Sequence, residues 1–316
     1  RSLAALEPAR KFPIRLVESG PAGGAILAAA LAKQCGLDKV LSFDMGGTTA
    51  KICLIDNGEP QHSRTFEVAR QYRFLKGSGL PLRIPVIEMV EIGAGGGSIA
   101  HVDSLSRINV GPESAGAEPG PASYGRGGTE PTVTDADTML GRLDPARFAG
   151  GKLPLYPDKA VAALNSIAGP LKTDARGAAV GVAEIVDETM ASAARVHAVE
   201  NGKDTADRTL IAFGGAAPLH AARMARKLGM KKVVVPVGAG VGSAFGFLRA
   251  SIAYEVVRTR HMRLDLFDPK MVNGLFTGMR QEAEEVVRRA APNETLVETR
   301  QAFMRYRGQE IGRAHV

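Results

Sequence analysis

Tryptophan is absent from this chain, and aromatic residues make up only 5% of it. Cysteine is nearly absent too: Cys35 and Cys53 are the only two. Two cysteines exclude a disulfide framework, and their spacing is not that of a metal site. Free thiols are the norm in a reducing compartment, so the expectation is a soluble, cytoplasmic protein with both cysteines on the core side of their elements. No apolar run is long enough to span a bilayer, because Pro, Gly or a charge interrupts each one, so no membrane partner is expected. The formal net charge of +7 raises the question of nucleic acid. The basic residues are dispersed or stand beside acids, as Arg288 and Arg289 do after Glu282, Glu284 and Glu285. Without a basic stripe interleaved with aromatics, a solvated surface is the expectation and no nucleic-acid partner.

The termini lack their usual marks. There is no initiator Met at Arg1 and no signal-peptide pattern follows it. Residues 311–316, IGRAHV, read like the translation of a sequencing adapter. The expectation is that the natural chain departs from this sequence near Glu310 and continues, and that His315 carries no functional weight.

Glycine is plentiful, and it falls in turns rather than in repeats. Residues 19–24, SGPAGG, read as a turn leading into an Ala- and Leu-rich helix over 25–34 that stops at Gly36. Residues 41–55, LSFDMGGTTAKICLI, read as an apolar strand, a tight turn and a second apolar strand, with Asn57-Gly58 as the next turn. From 59 to about 174 the pattern is looser. It contains a strand over 82–92, the run Gly95-Gly96-Gly97-Ser98, a strand over 99–102 and the Gly/Pro-rich stretch 111–128. A helix then opens at Thr134 or Asp135 and runs through Leu143. Beyond it come a long amphipathic helix over 175–199, a strand over 210–213 and the turn Gly214-Gly215-Ala216. A helix over 219–228, a strand over 233–235, a Gly-rich connector over 238–247 and an amphipathic helix from about 269 to 291 complete the chain.

Two turns carry candidate chemistry. In the first, Asp44 ends a strand, Gly46 and Gly47 permit a backbone closed to other residues, and Thr48 and Thr49 add hydroxyls. Exposed N–H groups beside a carboxylate suit a metal-bound phosphate, Asp44 holding the metal or its water. A Gly-Gly-Thr-Thr turn also serves as a plain hairpin, and residues 44–49 alone do not separate the two readings. The second turn, Gly214-Gly215-Ala216, joins a strand to a helix, where glycines admit a ring or ribose and a helix N-terminus favours anions. Lys51 is read either as a phosphate contact or as a strand-surface lysine. His101 and His220 are read as structurally satisfied rather than as acid–base groups.

The order of these features resembles the second half of the actin-like (RNase H-like) α/β ATPase fold with a large Gly/Pro-rich insertion. At closer range the chain resembles the hydantoinase/oxoprolinase family, specifically its A-type subunit. The resemblance is carried by SGPAGG (19–24), DMGGTTAK (44–51), EIGAGGGSIAHVD (91–103), VGPESAGAEPGPASYGRGGTEPTVTDADTMLGRLDP (110–145) and AFGGAAPLHA (212–221). It implies an actin-like domain over 1–260, with a core of 15–58 and 175–260 and an insertion of 59–174, then the start of a further domain over 261–310. It implies ATP and Mg²⁺ or another divalent cation. Asp44, Thr48 and Thr49 would work at the phosphates, and Gly46, Gly47, Gly214, Gly215 and Ala216 would bind nucleotide. Gly95, Gly96, Gly97, Ser98 and Asp135 would lie toward the substrate, while Asp137, Glu18 and Glu130 receive no firm role. The implied reaction is ATP-dependent opening of a cyclic amide such as N-methylhydantoin, hydantoin or 5-oxoproline, with a B-type subunit as partner. The alternatives are the ATP-using subunit of a ketone carboxylase and a non-enzymatic actin-like nucleotide module. The fold's first phosphate loop would precede Arg1, so this piece alone is expected to be inactive. The sequence departs from the family at Ser123, where Cys is common, and at Thr49-Ala50-Lys51, where a Ser/Thr-Asp ending is common.

Overall fold

The computed structural model describes residues 6–17, 19–63, 66–68, 77–304, 306 and 312–315. Glu18 lies outside them. The chain divides into two compact units, one over 18–249 and one built from 2–17 with 250–316.

The first unit is organised by a mixed sheet. Strand β1 (Lys39–Met45) runs antiparallel to β2 (Ala50–Asp56), which pairs with the short β3 (Glu59–Pro60) and β4 (Val90–Ile92). On its other side β1 runs parallel to β7 (Thr209–Phe213), and β7 parallel to β8 (Lys232–Val234). Between these lie the hairpin β5 (Ser98–Val102) and β6 (Ile108–Ser114) and the helices α2 (Val133–Met139), α3 (Pro157–Ala168) and α4 (Ala175–Glu200). The β2–β3 connection is the expected Asn57-Gly58 turn, with both residues at positive φ (52° and 71°).

Period-2 alternation gives β1 two faces. Leu41, Phe43 and Met45 are fully buried against Val182, Val186 and Met190 of α4 and Met224 of α5 (Ala217–Lys227). Val40 packs on the opposite face with helix α1 (Ser19–Gln34), through Ala25 and Ala28. Asp44 shares the parity of Val40 and so points toward the α1 side.

Several expectations change. The glycines of 19–24 do not form a turn; they are the first turns of α1. The connector 238–247 holds a 3₁₀ turn and the helix α6 (Gly242–Arg249). Both differences have one cause. A Cβ on Gly246 would stand 1.7 Å from the Gly23 carbonyl oxygen, and one on Gly23 would stand 2.5 Å from that of Ser243. The two helices cross backbone to backbone, and that packing outweighs the poor helix propensity of glycine. Helix α2 is capped by Thr132, not Thr134 or Asp135. The strand expected over 82–92 is broken into short pairs at 80–82, 86–87 and 90–92. Cys35 is exposed, whereas Cys53 is buried and its burial pushes the thiol up to about 12.

In the second unit, α7 (Pro269–Ala290) is capped by Asp268, whose carboxylate accepts from the N–H groups of Lys270 and Met271. Strands β9 (Gln301–Met304) and β10 (Gly312–His315) pair antiparallel. Among the described residues no helix is long and apolar enough to cross a membrane.

Candidate nucleotide site

The site is built where β1 and β7 end side by side, Asp44 opposite Phe213 on one flank and opposite Lys51 of β2 on the other. The turn after Asp44 is closed by the Gly46 N–H donating to the Thr49 carbonyl at 3.1 Å. The turn after Phe213 is fastened to it, the Ala216 N–H donating to the Met45 carbonyl at 2.9 Å. Gly214 has φ +96°, and a Cβ there would lie 2.5 Å from the Met45 carbonyl oxygen and 2.6 Å from Asp44 Oδ1. The protein's own packing therefore demands glycine at 214. Gly24 of α1 closes the other side, where a Cβ would lie 2.6 Å from the Phe213 ring and 3.0 Å from Asp44 Oδ2.

Asp44 is held by a residue from the far end of the unit. Ser243, in the first turn of α6, donates its hydroxyl to Asp44 Oδ2 at 2.8 Å. Burial pushes the Asp44 carboxyl above its ordinary range, opposed by the Ser243 hydrogen bond and by the nearby Lys51 ammonium. Lys51 Nζ lies 2.6 Å from Thr49 Oγ1 and 3.1 Å from Glu91 Oε1. It is neither a free surface lysine nor buried, with 20% of its side chain exposed.

The glycines at 46, 47 and 215 differ from those at 24 and 214. None of the three has positive φ, and a Cβ on any of them would meet nothing within 4 Å. The strained backbone expected at Gly46-Gly47 is thus not the reason for glycine there. Gly47, Thr48 and Gly215 are exposed, and among the described residues their N–H groups donate to no protein acceptor. Bare backbone donors beside a half-buried carboxylate fit a phosphate group. Among the described residues no cluster of three metal-ligating side chains exists. The lone Asp44 carboxylate beside these donors is a donor set that Mg²⁺ accepts, since that ion keeps several waters and is held by one or two carboxylates together with phosphate oxygens.

The remaining expected site residues are placed differently. The run 95–98 lies directly on the phosphate-type turn. The Gly96 and Gly97 N–H groups donate to the carbonyls of Gly46 (3.0 Å) and Gly47 (2.6 Å), that of Gly95 to Ser98 Oγ (2.9 Å), and that of Ser98 to the Gly95 carbonyl (3.0 Å). With all four donors committed, the run braces the turn and its N–H groups offer nothing to a substrate. Asp135 is fully buried. Its carboxylate accepts from the N–H groups of Ala122 (3.2 Å), Ser123 (2.7 Å) and Thr132 (3.0 Å) and from the Thr132 hydroxyl (2.8 Å). It ties the Gly/Pro-rich stretch to the α2 cap and offers nothing to a substrate. His101 is exposed on the β5–β6 hairpin, as is Glu130 in its loop. His220 is fully buried between Asp137 and Asp187.

Sequence reasoning missed Ser243 and the role of Gly24. The available signal was the glycine pair at 242 and 246, one helical turn apart, matching Gly23-Gly24.

A mixed α/β sheet with two glycine turns at neighbouring strand ends, one led by an aspartate, is the arrangement expected above, and the solved relatives that superpose on it have the actin-like ATPase fold. The structure of acetone carboxylase in its nucleotide-free state superposes with a TM-score of 0.75 at 27% identity, covering 94% of this chain and 42% of that one. That of the ATP-dependent caprolactamase from Pseudomonas jessenii gives 0.73 at 34% identity, with the same coverage. The family model described as hydantoinase/oxoprolinase matches residues 2–256, and the chain belongs to that family. The caprolactamase subunit alpha of P. jessenii is 40% identical over 81% of this chain and 36% of its own length. The acetophenone carboxylase gamma subunit of Aromatoleum aromaticum is 37% identical over 78% of this chain and 33% of its own length. The chain thus spans less than half the length of these relatives.

Proposed function

We propose that this chain supplies the second phosphate turn and the adenosine turn of an ATP-dependent cyclic amidohydrolase of the hydantoinase A type, working with a B-type partner. The observation that carries this reading is the exposed Gly46–Thr49 turn, led by the half-buried Asp44 and fastened to the Gly214–Ala216 turn. Gly47, Thr48 and Thr49 would hold phosphate oxygens, Gly46 closing the turn through its N–H to the Thr49 carbonyl, and Gly214, Gly215 and Ala216 would lie under the base or ribose. Asp44 would orient Mg²⁺ or one of its waters. An unactivated amide carbonyl is a poor electrophile with a poor leaving group, and phosphorylation of its oxygen supplies the missing reactivity. The protein's contribution is then positioning and charge placement. The caprolactamase subunit alpha, at 40% identity, supports amide opening, and the acetophenone carboxylase gamma subunit, at 37%, is the ground for the carboxylase alternative.

The test is phosphate release by the protein together with a B-type partner. N-methylhydantoin, 5-oxoproline and caprolactam would be compared with acetophenone plus bicarbonate. Amide-stimulated release, abolished by Asp44→Asn, is the expected result. Stimulation by ketone and bicarbonate alone would transfer the chain to the carboxylase branch, and no stimulation in any pairing would overturn both. The 316-residue chain by itself is expected to release no phosphate.

A further inference from the structure

His220 of α5 has no solvent exposure. Its Nδ1 lies 2.8 Å from Asp187 Oδ1 of α4 and its Nε2 lies 3.1 Å from Asp137 Oδ2 of α2. A neutral imidazole carries one N–H, so one of its nitrogens would set a lone pair against a carboxylate lone pair. The imidazolium donates to both. Arg142 completes the group, its Nη1 2.8 Å from Asp137 Oδ1. The other charges nearby are Arg223 of α5, which interacts with Asp187, and Glu184 of α4, which is paired with Arg223 and Lys227.

The Asp137 and His220 members of this bridge each lead to one of the two turns, and Asp187 holds the other ring nitrogen of His220. From Asp137, α2 runs back to Thr134, whose N–H and hydroxyl both donate to the Gly96 carbonyl at 2.7 and 2.8 Å. Gly96 and Gly97 in turn hold the carbonyls of Gly46 and Gly47. From His220, α5 runs back one turn to Ala216, whose N–H holds the Met45 carbonyl. The Gly46–Thr49 and Gly214–Ala216 turns are therefore joined twice, once directly and once through a buried ionic bridge.

We infer that Asp137, His220 and Asp187 are positioning residues that fix the spacing of the two turns through a proton retained on His220. The coupling stands on geometry alone; its value for gripping a nucleotide rests on the function proposed above. Burial disfavours the imidazolium, but the hydrogen bonds and charges of Asp137 and Asp187 overcome it and push His220 up to about 9. The consequence is a brace that stays closed through the neutral range.

The experiment uses the chain itself, without nucleotide, so it fails or succeeds independently of the ATP reading. Side-chain ¹⁵N spectra, with His220 assigned by its loss in His220→Gln, are expected to show both ring nitrogens protonated at pH 7.5. Amide exchange is then followed at Gly96, Gly97 and Ala216, with Leu41 and Leu210 as references in the central strands. Asp137→Asn and His220→Gln are each expected to speed exchange at all three turn amides about tenfold more than at the references, through local opening. Leu164→Ala, a core truncation, should speed all five alike. A neutral His220 at pH 7.5 would overturn the inference. So would variants that speed all five amides equally, or that loosen only the turn on their own side. Asp137→Asn keeps the experiment decisive if His220→Gln does not fold, the His220 signals then being assigned by their shift in that variant.

Discussion

Ser243 and Asp44 are 199 residues apart in sequence and 2.8 Å apart in space, the serine hydroxyl donating to the carboxylate. Three glycines make this meeting possible. Gly23 and Gly246 let α1 and α6 touch backbones, and Gly24 leaves room beside the Asp44 carboxylate. The acid of the candidate phosphate turn is thus aimed by a helix crossing, not by its own loop. An orienting hydroxyl leaves the other carboxylate oxygen, which lies against Gly214, in a defined direction. Such pre-set geometry is what a phosphate and its metal require.

Holding that acid has a cost in stability. Burial raises the Asp44 carboxyl above its unfolded value, so keeping it ionised at neutral pH works against folding. Asp44→Asn removes the charge and keeps the shape. The variant is expected to be more stable in urea at pH 7 by about 1 kcal/mol, as functional-site replacements often are, while the protein with a B-type partner loses amide-stimulated phosphate release. A variant less stable than the parent would show that Asp44 is a structural acid.

The helix crossing predicts a contrast between two glycines. Gly246→Ala puts a methyl group 1.7 Å from the Gly23 carbonyl oxygen, whereas Gly278→Ala, in the exposed interior of α7, meets nothing within 4 Å. The first is expected to lower stability by roughly 3 kcal/mol through overpacking. The second should raise it by about 1 kcal/mol through helix propensity. Urea unfolding of the two variants tests this. Equal effects would mean that α1 and α6 do not cross at Gly23 and Gly246.

Local chemistry was legible and long-range chemistry was not. The strands at 39–45, 50–56 and 209–213 stand out because apolar runs end in glycine turns, and the Asn57-Gly58 turn is dictated by its own two residues. The helix 175–200 shows its apolar period. The starts of α1 and α6 were hidden because their glycines lower local helix propensity, and only the partner helix reveals why they are there. The turns led by Asp44 and Gly214 could be read from sequence. The brace formed by Gly95–Gly97 could not, since a Gly-rich run looks the same whether its N–H groups are free or committed. His220 was read as a satisfied residue, but its partners lie 33 and 83 positions away, and no local pattern announces them.

Ser123 offers a test of the family departure noted above. Its hydroxyl is fully buried and makes no hydrogen bond among the described residues, although its backbone N–H is held by Asp135. A hydroxyl buried without a partner costs on the order of 1–3 kcal/mol, whereas a thiol at this position loses little. Ser123→Ala and Ser123→Cys are both expected to raise the thermal midpoint. If both lower it, the hydroxyl has a partner that the described residues do not include.

The buried bridge predicts a pH dependence with a definite sign. The His220 pKa is raised from 6.5 to about 9 in the folded chain. The native state therefore holds a proton that the unfolded chain releases across this interval. Stability from the bridge is fully present below about 6.5, declines as pH rises, and is lost once pH passes about 9. Urea midpoints measured from pH 6 to 10 should fall across that window in the parent. They should fall less in His220→Gln, which has no proton to lose there. The variant should itself be less stable at pH 6, because the buried Asp187 carboxylate loses the imidazolium it faces and Asp137 is left with Arg142 alone. The two curves should approach one another above pH 9. Parallel curves would show that the charge on His220 contributes nothing to the fold, leaving the bridge as packing alone.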